Sequence, residues 1–154
     1  MKVLILGIGN ILLKDDGVGV HIIKQLHHDN VFISDENIEL VDGGTAGFDL
    51  LPVIQNRDYI ILIDAIELQQ PPGSIFHFPL TELQSKLPVD SAHDVNITEL
   101  FRQLELYGET PVVELIGIVP EDVTTFAMEL SESVAVAIPK VVEMINGLVE
   151  KWKY

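Results

Sequence analysis

The opening of the chain constrains its fold more than any other stretch. A run of apolar residues, Val3-Leu4-Ile5-Leu6, leads straight into Gly7-Ile8-Gly9-Asn10-Ile11-Leu12-Leu13-Lys14-Asp15-Asp16-Gly17-Val18-Gly19. From Gly17 to His28 apolar residues recur at helical spacing, with Val18, Ile22, Ile23 and Leu26 on one face. A buried strand, a glycine-rich turn and a helix open an α/β domain, in which functional groups collect outside the carboxyl ends of the strands. Two adjacent carboxylates, Asp15 and Asp16, stand in that first loop and need an explanation. An aspartate at a helix start caps it and stabilises it by about 1 kcal/mol, which accounts for one of the pair. Gly7-Ile8-Gly9 matches the first half of a dinucleotide fingerprint. The third glycine position is Leu12, too bulky for close helix–strand packing, and the acidic pair repels a pyrophosphate. The loop suits a cation better than an anion.

The rest of the chain continues the α/β alternation. The first strand is expected over Lys2–Leu6 and a second over Ile38–Val41, running into Asp42-Gly43-Gly44-Thr45-Ala46-Gly47. That loop either presents its amides to a substrate or is a tight turn, with Thr45 capping a helical turn over Phe48–Ile54. Tyr59–Ile63 is the most apolar stretch and reads as a central third strand, with Asp64 following at its carboxyl end. Ser74–Phe78 alternates and reads as an edge strand on which His77 faces away from Phe76 and Phe78. Thr81–Asp90 is weakly patterned. A helix is expected over Val95–Leu106, capped by Asp94 or Asn96, with His93 just before its N-terminus. There the helix dipole disfavours imidazolium and leaves the neutral ring that a metal requires. His21, His27 and His28 fall near the polar side of the first helix and read as solvated. Val112–Val119 is the last strand. A long C-terminal helix starts at Ser131 or Ser133, with Val134, Ile138, Val141, Ile145, Leu148 and Trp152 on its apolar face and a kink at Pro139.

Composition narrows the function. The 154 residues suit one domain, residues 1–154, and the formal charge of −15 argues against a nucleic-acid partner. A spanning helix needs about 20 apolar residues, and no run here approaches that. With no secretory signal evident, a cytoplasmic protein is expected. The chain has no cysteine, which excludes disulfides, cysteine nucleophiles and thiolate metal sites. It also lacks G-x-S-x-G and H-E-x-x-H. What remains is Asp16, Asp64 and His93, each at an element boundary that a parallel sheet can bring to one edge. Two carboxylates and one imidazole leave open positions on a divalent ion such as zinc, nickel or manganese.

Four ordered motifs carry a family resemblance. They are Gly7-x-Gly9-Asn10-x-Leu12-x-x-Asp15-Asp16-Gly17-x-Gly19, Asp42-Gly43-Gly44-Thr45-x-Gly47, Asp64-Ala65 and Ser91-x-His93. In these the chain resembles the hydrogenase maturation endopeptidases over nearly its whole length, and Gly117-Ile118-Val119-Pro120 also fits. The resemblance implies a three-layer α/β/α sandwich around a twisted, mostly parallel five-stranded sheet with one antiparallel strand. It implies removal of a C-terminal extension from the large-subunit precursor of a [NiFe] hydrogenase once nickel is inserted. It implies that Asp16, Asp64 and His93 contact a metal, nickel supplied by the precursor, in whose place a surrogate divalent ion can bind. Position 16 is glutamate in some members and aspartate here, one methylene shorter. Asp42, Gly43, Gly44 and Thr45 match a loop associated with the substrate-facing cleft. The resemblance leaves open which group is the general base or nucleophile. Two competing readings are a nucleotide-binding module resting on Gly7-Ile8-Gly9 and a metal-binding chaperone without protease activity.

Overall fold

The structure is a computed structural model that describes residues 1–83 and 92–154, with side chains described up to residue 83 and from residue 97 onward. The strands are β1 (Val3–Ile8), β2 (Ile38–Gly44), β3 (Tyr59–Ala65), β4 (Ile75–Pro79) and β5 (Val112–Ile118). They form one sheet in the order β2-β1-β3-β5-β4. The pairs β1–β2, β1–β3 and β3–β5 are parallel, and β4 runs antiparallel to β5 at the edge. The helices are α1 (Val18–His28), the single turn α2 (Leu51–Ile54), α3 (Ala92–Leu106), the single turn α4 (Glu132–Ala135) and α5 (Ile138–Lys153).

The apolar runs become the central strands because both faces of those strands are covered. Every residue of β1 is buried. Successive side chains point to opposite faces, and the core divides accordingly. Val3, Ile5, Ile61, Ile63, Ile116 and Ile118 pack with Val18, Ile22, Ile23 and Leu26 of α1 and with Val141, Ile145 and Val149 of α5. Leu4, Leu6, Ile60, Leu62 and Leu115 pack on the other face with Ile54 of α2 and with Ile97, Leu100, Phe101 and Leu104 of α3. Each such side chain contributes roughly 1.5–3 kcal/mol of burial. This is the α/β/α sandwich with one antiparallel strand that the resemblance implied. At the amino end of the sheet Trp152 stacks on Tyr59, with centroids 4.5 Å apart, and ties the end of α5 to β3.

Several local expectations are corrected. Asp64 lies inside β3, which runs one residue beyond it. The turn after β2 is a 3-10 turn over Gly47–Leu50 preceded by Ala46, with no side-chain cap, so Thr45 does not cap it. The C-terminal helix is two pieces. Pro139 stands in the first turn of α5, where a missing N–H costs nothing. Its ring would collide with the carbonyl four residues back, that of Ala135, where α4 ends. The proline therefore starts a helix instead of kinking one. Helix α3 begins at Ala92, so the backbone of His93 is inside its first turn and not ahead of it. Of the weakly patterned Thr81–Asp90, Leu80–Glu82 opens it as a 3-10 turn; residues 84–91, which include Asp90 and Ser91, lie outside the described residues. Among the described residues no helix is long and apolar enough to cross a membrane.

Candidate active site at the carboxyl rim of β1, β2 and β3

The chain leaves β1 toward β2 on one side and later places β3 on the other. That reversal opens a crevice at the carboxyl ends of these strands. Gly7 pairs with Asp42 across to β2 and with Ile63 across to β3. Asp42 and Asp64 therefore flank the end of β1 from either side. Above that end the chain folds into a 3-10 turn, Lys14–Gly17, which carries Asp15 and Asp16 and packs against β3.

Two glycines make this close approach possible. A Cβ on Gly9, whose φ is +130°, would lie 1.9 Å from the Asp16 carbonyl oxygen. A Cβ on Gly19 would lie 2.3 Å from the Ile63 carbonyl oxygen. The close helix–strand packing that a dinucleotide fingerprint assigns to its third glycine is thus served by Gly19. Leu12, at the third-glycine position, is in the loop and 52% exposed, so its bulk obstructs no helix packing.

The two carboxylates of the acidic pair do different work. Asp15 is fully buried. Its Oδ2 accepts the amides of Glu121 and Asp122, each at 3.0 Å, and its Oδ1 accepts the amide of Ser131 at 2.8 Å. Its own amide donates to the Asp122 carbonyl at 3.0 Å. Asp15 is a staple between the first loop and the segment after β5, a role that no local sequence pattern signals. Asp16 is half-buried, and its Oδ2 accepts the Asn10 amide at 2.8 Å. Neither side chain caps a helix.

Asp64 accepts the amide of Ala65 through Oδ1 at 2.8 Å. It lines a cavity of about 210 Å³ with Ile8, Gly9, Gly44, Thr45, Leu50 and Ile97. The Asn10 amide orients Asp16 and the Ala65 amide orients Asp64; a carboxylate offers about four lone-pair sites, enough to accept such a bond and bind a cation as well. Gly44 and Thr45 reach the cavity. Asp42 turns back to accept the Gly44 amide at 3.0 Å, and Gly43 is buried over Leu6 and Ile8. The Gly44 carbonyl accepts the Gly9 amide at 2.9 Å, which couples the β1 and β2 loops.

Among the described residues no group of three His, Asp or Glu side chains is placed to hold a metal ion. The side chain of His93 lies outside the described residues. Its backbone is one helical turn before Ile97, which lines the cavity. The structure thus brings Asp16 and Asp64 to one rim and sets the third position on a helix that borders it.

Of the other histidines, His27 and His28 are exposed as expected, and so is His77, which pairs with Glu114 at 2.8 Å. His21 departs from expectation: it is half-buried, and its Nε2 is buried without a partner among the described residues. Burial holds its pKa below the ordinary 6.5, and Lys24 pushes the same way, against the Met128 backbone and Asp15. Below that ordinary value the unfolded chain binds a proton that the folded chain resists. Stability tied to His21 is therefore complete above pH 6.5 and lost as pH falls below it. His21→Gln is expected to flatten the fall in urea midpoint between about pH 7.5 and about pH 5.5. An equal fall in both proteins would contradict this.

Comparisons with known proteins agree with one another. A family model described as hydrogenase maturation protease matches residues 20–148, a span that contains Asp42, Asp64 and His93 and begins after Asp16. The hydrogenase 2 maturation protease of Escherichia coli (strain K12) is 36% identical over 124 residues, covering 79% of this chain and 74% of that protein. The structure of the hydrogenase maturating endopeptidase HybD from E. coli superposes with a TM-score of 0.86 at 30% identity, over 98% of this chain and 93% of that one. The [NiFe] hydrogenase maturation protease HybD from Thermococcus kodakarensis gives 0.79 at 31% identity, over 96% and 99% of the two chains.

Proposed function

This chain belongs to the hydrogenase maturation protease family, and we propose that it cuts the C-terminal extension from a [NiFe] hydrogenase large-subunit precursor after nickel insertion. The observation that carries this reading is the packing of the Lys14–Gly17 turn on β3, which sets Asp16 at the rim where Asp64 opens onto a cavity. Nickel enters as part of the substrate. Asp16, Asp64 and His93 grip the ion from the protease side with two charged oxygens and one neutral imidazole nitrogen, a donor set suited to a divalent transition ion. The extension lies along Gly44 and Thr45, with its chain over the cavity that Ile8, Leu50 and Ile97 wall.

Recognition in this scheme is conditional. An empty precursor lacks the positive charge that the two aspartates bind, so it is left uncut until loading is complete. The absence of cysteine fits the same task, because thiolates would compete for the nickel. The test is to mix the chain with nickel-loaded and nickel-free precursor and follow the mass of the large subunit. Cleavage confined to the loaded form is the expected result. Equal cleavage of both forms would remove nickel from the recognition step.

A further inference from the structure

Beside the Asp16 turn the chain builds a rigid hook with an apolar tip. The segment after β5 returns to the first loop and pairs with it in parallel at Leu13 and Ala127. The Ala127 amide donates to the Leu12 carbonyl at 3.0 Å, and the Lys14 amide donates to the Ala127 carbonyl at 2.9 Å. The Asp15 staple holds the near end at Glu121, Asp122 and Ser131. The Asp122 carboxylate accepts the amides of Thr124 at 2.9 Å and Thr125 at 3.0 Å, and both hydroxyls as well. Those bonds, the Thr125 hydroxyl first, hold its pKa well below the usual carboxylate range, so it stays charged.

What this scaffold presents is apolar. Phe126 is 84% exposed and Met128 56%, on either side of Ala127, with Leu12 alongside. Aromatic and methionine side chains on a fixed backbone are what protein interfaces use as anchors, because little conformational freedom remains to be lost on contact. Glu121, Glu129 and Glu132, exposed in the same stretch of sequence, add negative charge to this segment of a chain of charge −15. The complementary surface is an apolar pocket ringed by lysine and arginine.

We infer that Leu12, Phe126 and Met128 form the docking surface for the body of the large-subunit precursor, which meets them with an apolar, basic-rimmed face. This rests on the proposed function. Leu12 lies in the loop that continues into the Asp16 turn, so a globular substrate that brings its nickel to Asp16 covers this tip. The surface sets affinity and takes no part in the chemistry.

Steady-state cleavage of nickel-loaded precursor separates the possibilities. The double variant Phe126→Ser/Met128→Ser is expected to raise KM at least about tenfold with kcat little changed. Both side chains are mostly in solvent, so its thermal unfolding should match wild type. Leu106→Ser, an equally exposed apolar site at the far end of α3, serves as the control and should leave KM unchanged. Added salt should raise the wild-type KM, because charge steers the contact. Precursor cleaved by the double variant with wild-type KM overturns the docking surface and leaves the function standing. A concentration-dependent dimer that the double variant abolishes reassigns the tip to self-association. A wild-type chain that cleaves no loaded precursor overturns both.

Discussion

Asp15→Ala is expected to remove a large part of the chain's stability while Asp16→Ala leaves it almost as stable as wild type. Asp15 is completely buried and accepts three backbone amides from Glu121, Asp122 and Ser131. Alanine leaves those donors unpaired, at about 1–3 kcal/mol each where water cannot reach them. A loss on the order of 3–5 kcal/mol is expected, a large part of the roughly 5–15 kcal/mol that holds a domain together. Asp15→Asn keeps one acceptor oxygen but turns an NH₂ group toward an amide, so it recovers only part of the loss. Urea unfolding of the three proteins measures this. A midpoint for Asp15→Ala within experimental error of wild type would show that the staple holds nothing. The same loss should loosen the hook that carries Phe126, so activity should fall with stability in this variant and not separately from it.

The second large effect is on catalysis alone. Asp16→Ala and Asp64→Ala are each expected to slow processing of loaded precursor by roughly 10³-fold or more, the scale on which positioned charged groups act in active sites. Asp16→Ala removes an acceptor of the Asn10 amide and Asp64→Ala an acceptor of the Ala65 amide, both on half-buried residues. The expected stability change is therefore about 1 kcal/mol. Asp16→Glu restores the charge with one more methylene and should recover much of the rate. The combination of a folded protein with lost turnover distinguishes these two positions from Asp15, although Asp15 and Asp16 are neighbours in sequence. Near-normal cleavage by both alanine variants would mean that the rim carboxylates do not touch the reaction.

That contrast also marks how far the sequence could be read. The acidic pair stands out in the sequence, and the apolar run ahead of it marks its loop as one that follows a buried strand. Nothing local could divide the labour within it, because the partners of Asp15 lie 106, 107 and 116 residues away. The central strands were legible because continuous apolar runs such as Ile60-Ile61-Leu62-Ile63 admit no solvent-facing side. Their ends were less so: β2 and β3 run on through Asp42 and Asp64, since pairing with β1 and β5 continues past the last apolar residue. Thr45 offered a plausible cap, yet the turn begins two residues later at Gly47, whose φ of +59° suits glycine and reorients the chain first. The apolar face runs through Pro139 and suggests a kink, whereas the proline ring sets the boundary between α4 and α5. The hook over Asp122–Met128 had no period to reveal it. Its order comes from side-chain bonds of Asp122 and a distant carboxylate, and its apolar tip is meaningful only beside the Asp16 turn.

In the proposed site one ion is shared by three side chains from separate elements. The direct measurement is diffraction from crystals of the chain soaked in nickel, recorded at the nickel absorption edge. The expected result is one strong anomalous peak with oxygens of Asp16 and Asp64 and a ring nitrogen of His93 at bonding distance. A peak elsewhere, or an ion at the rim with His93 turned away from it, would contradict the account.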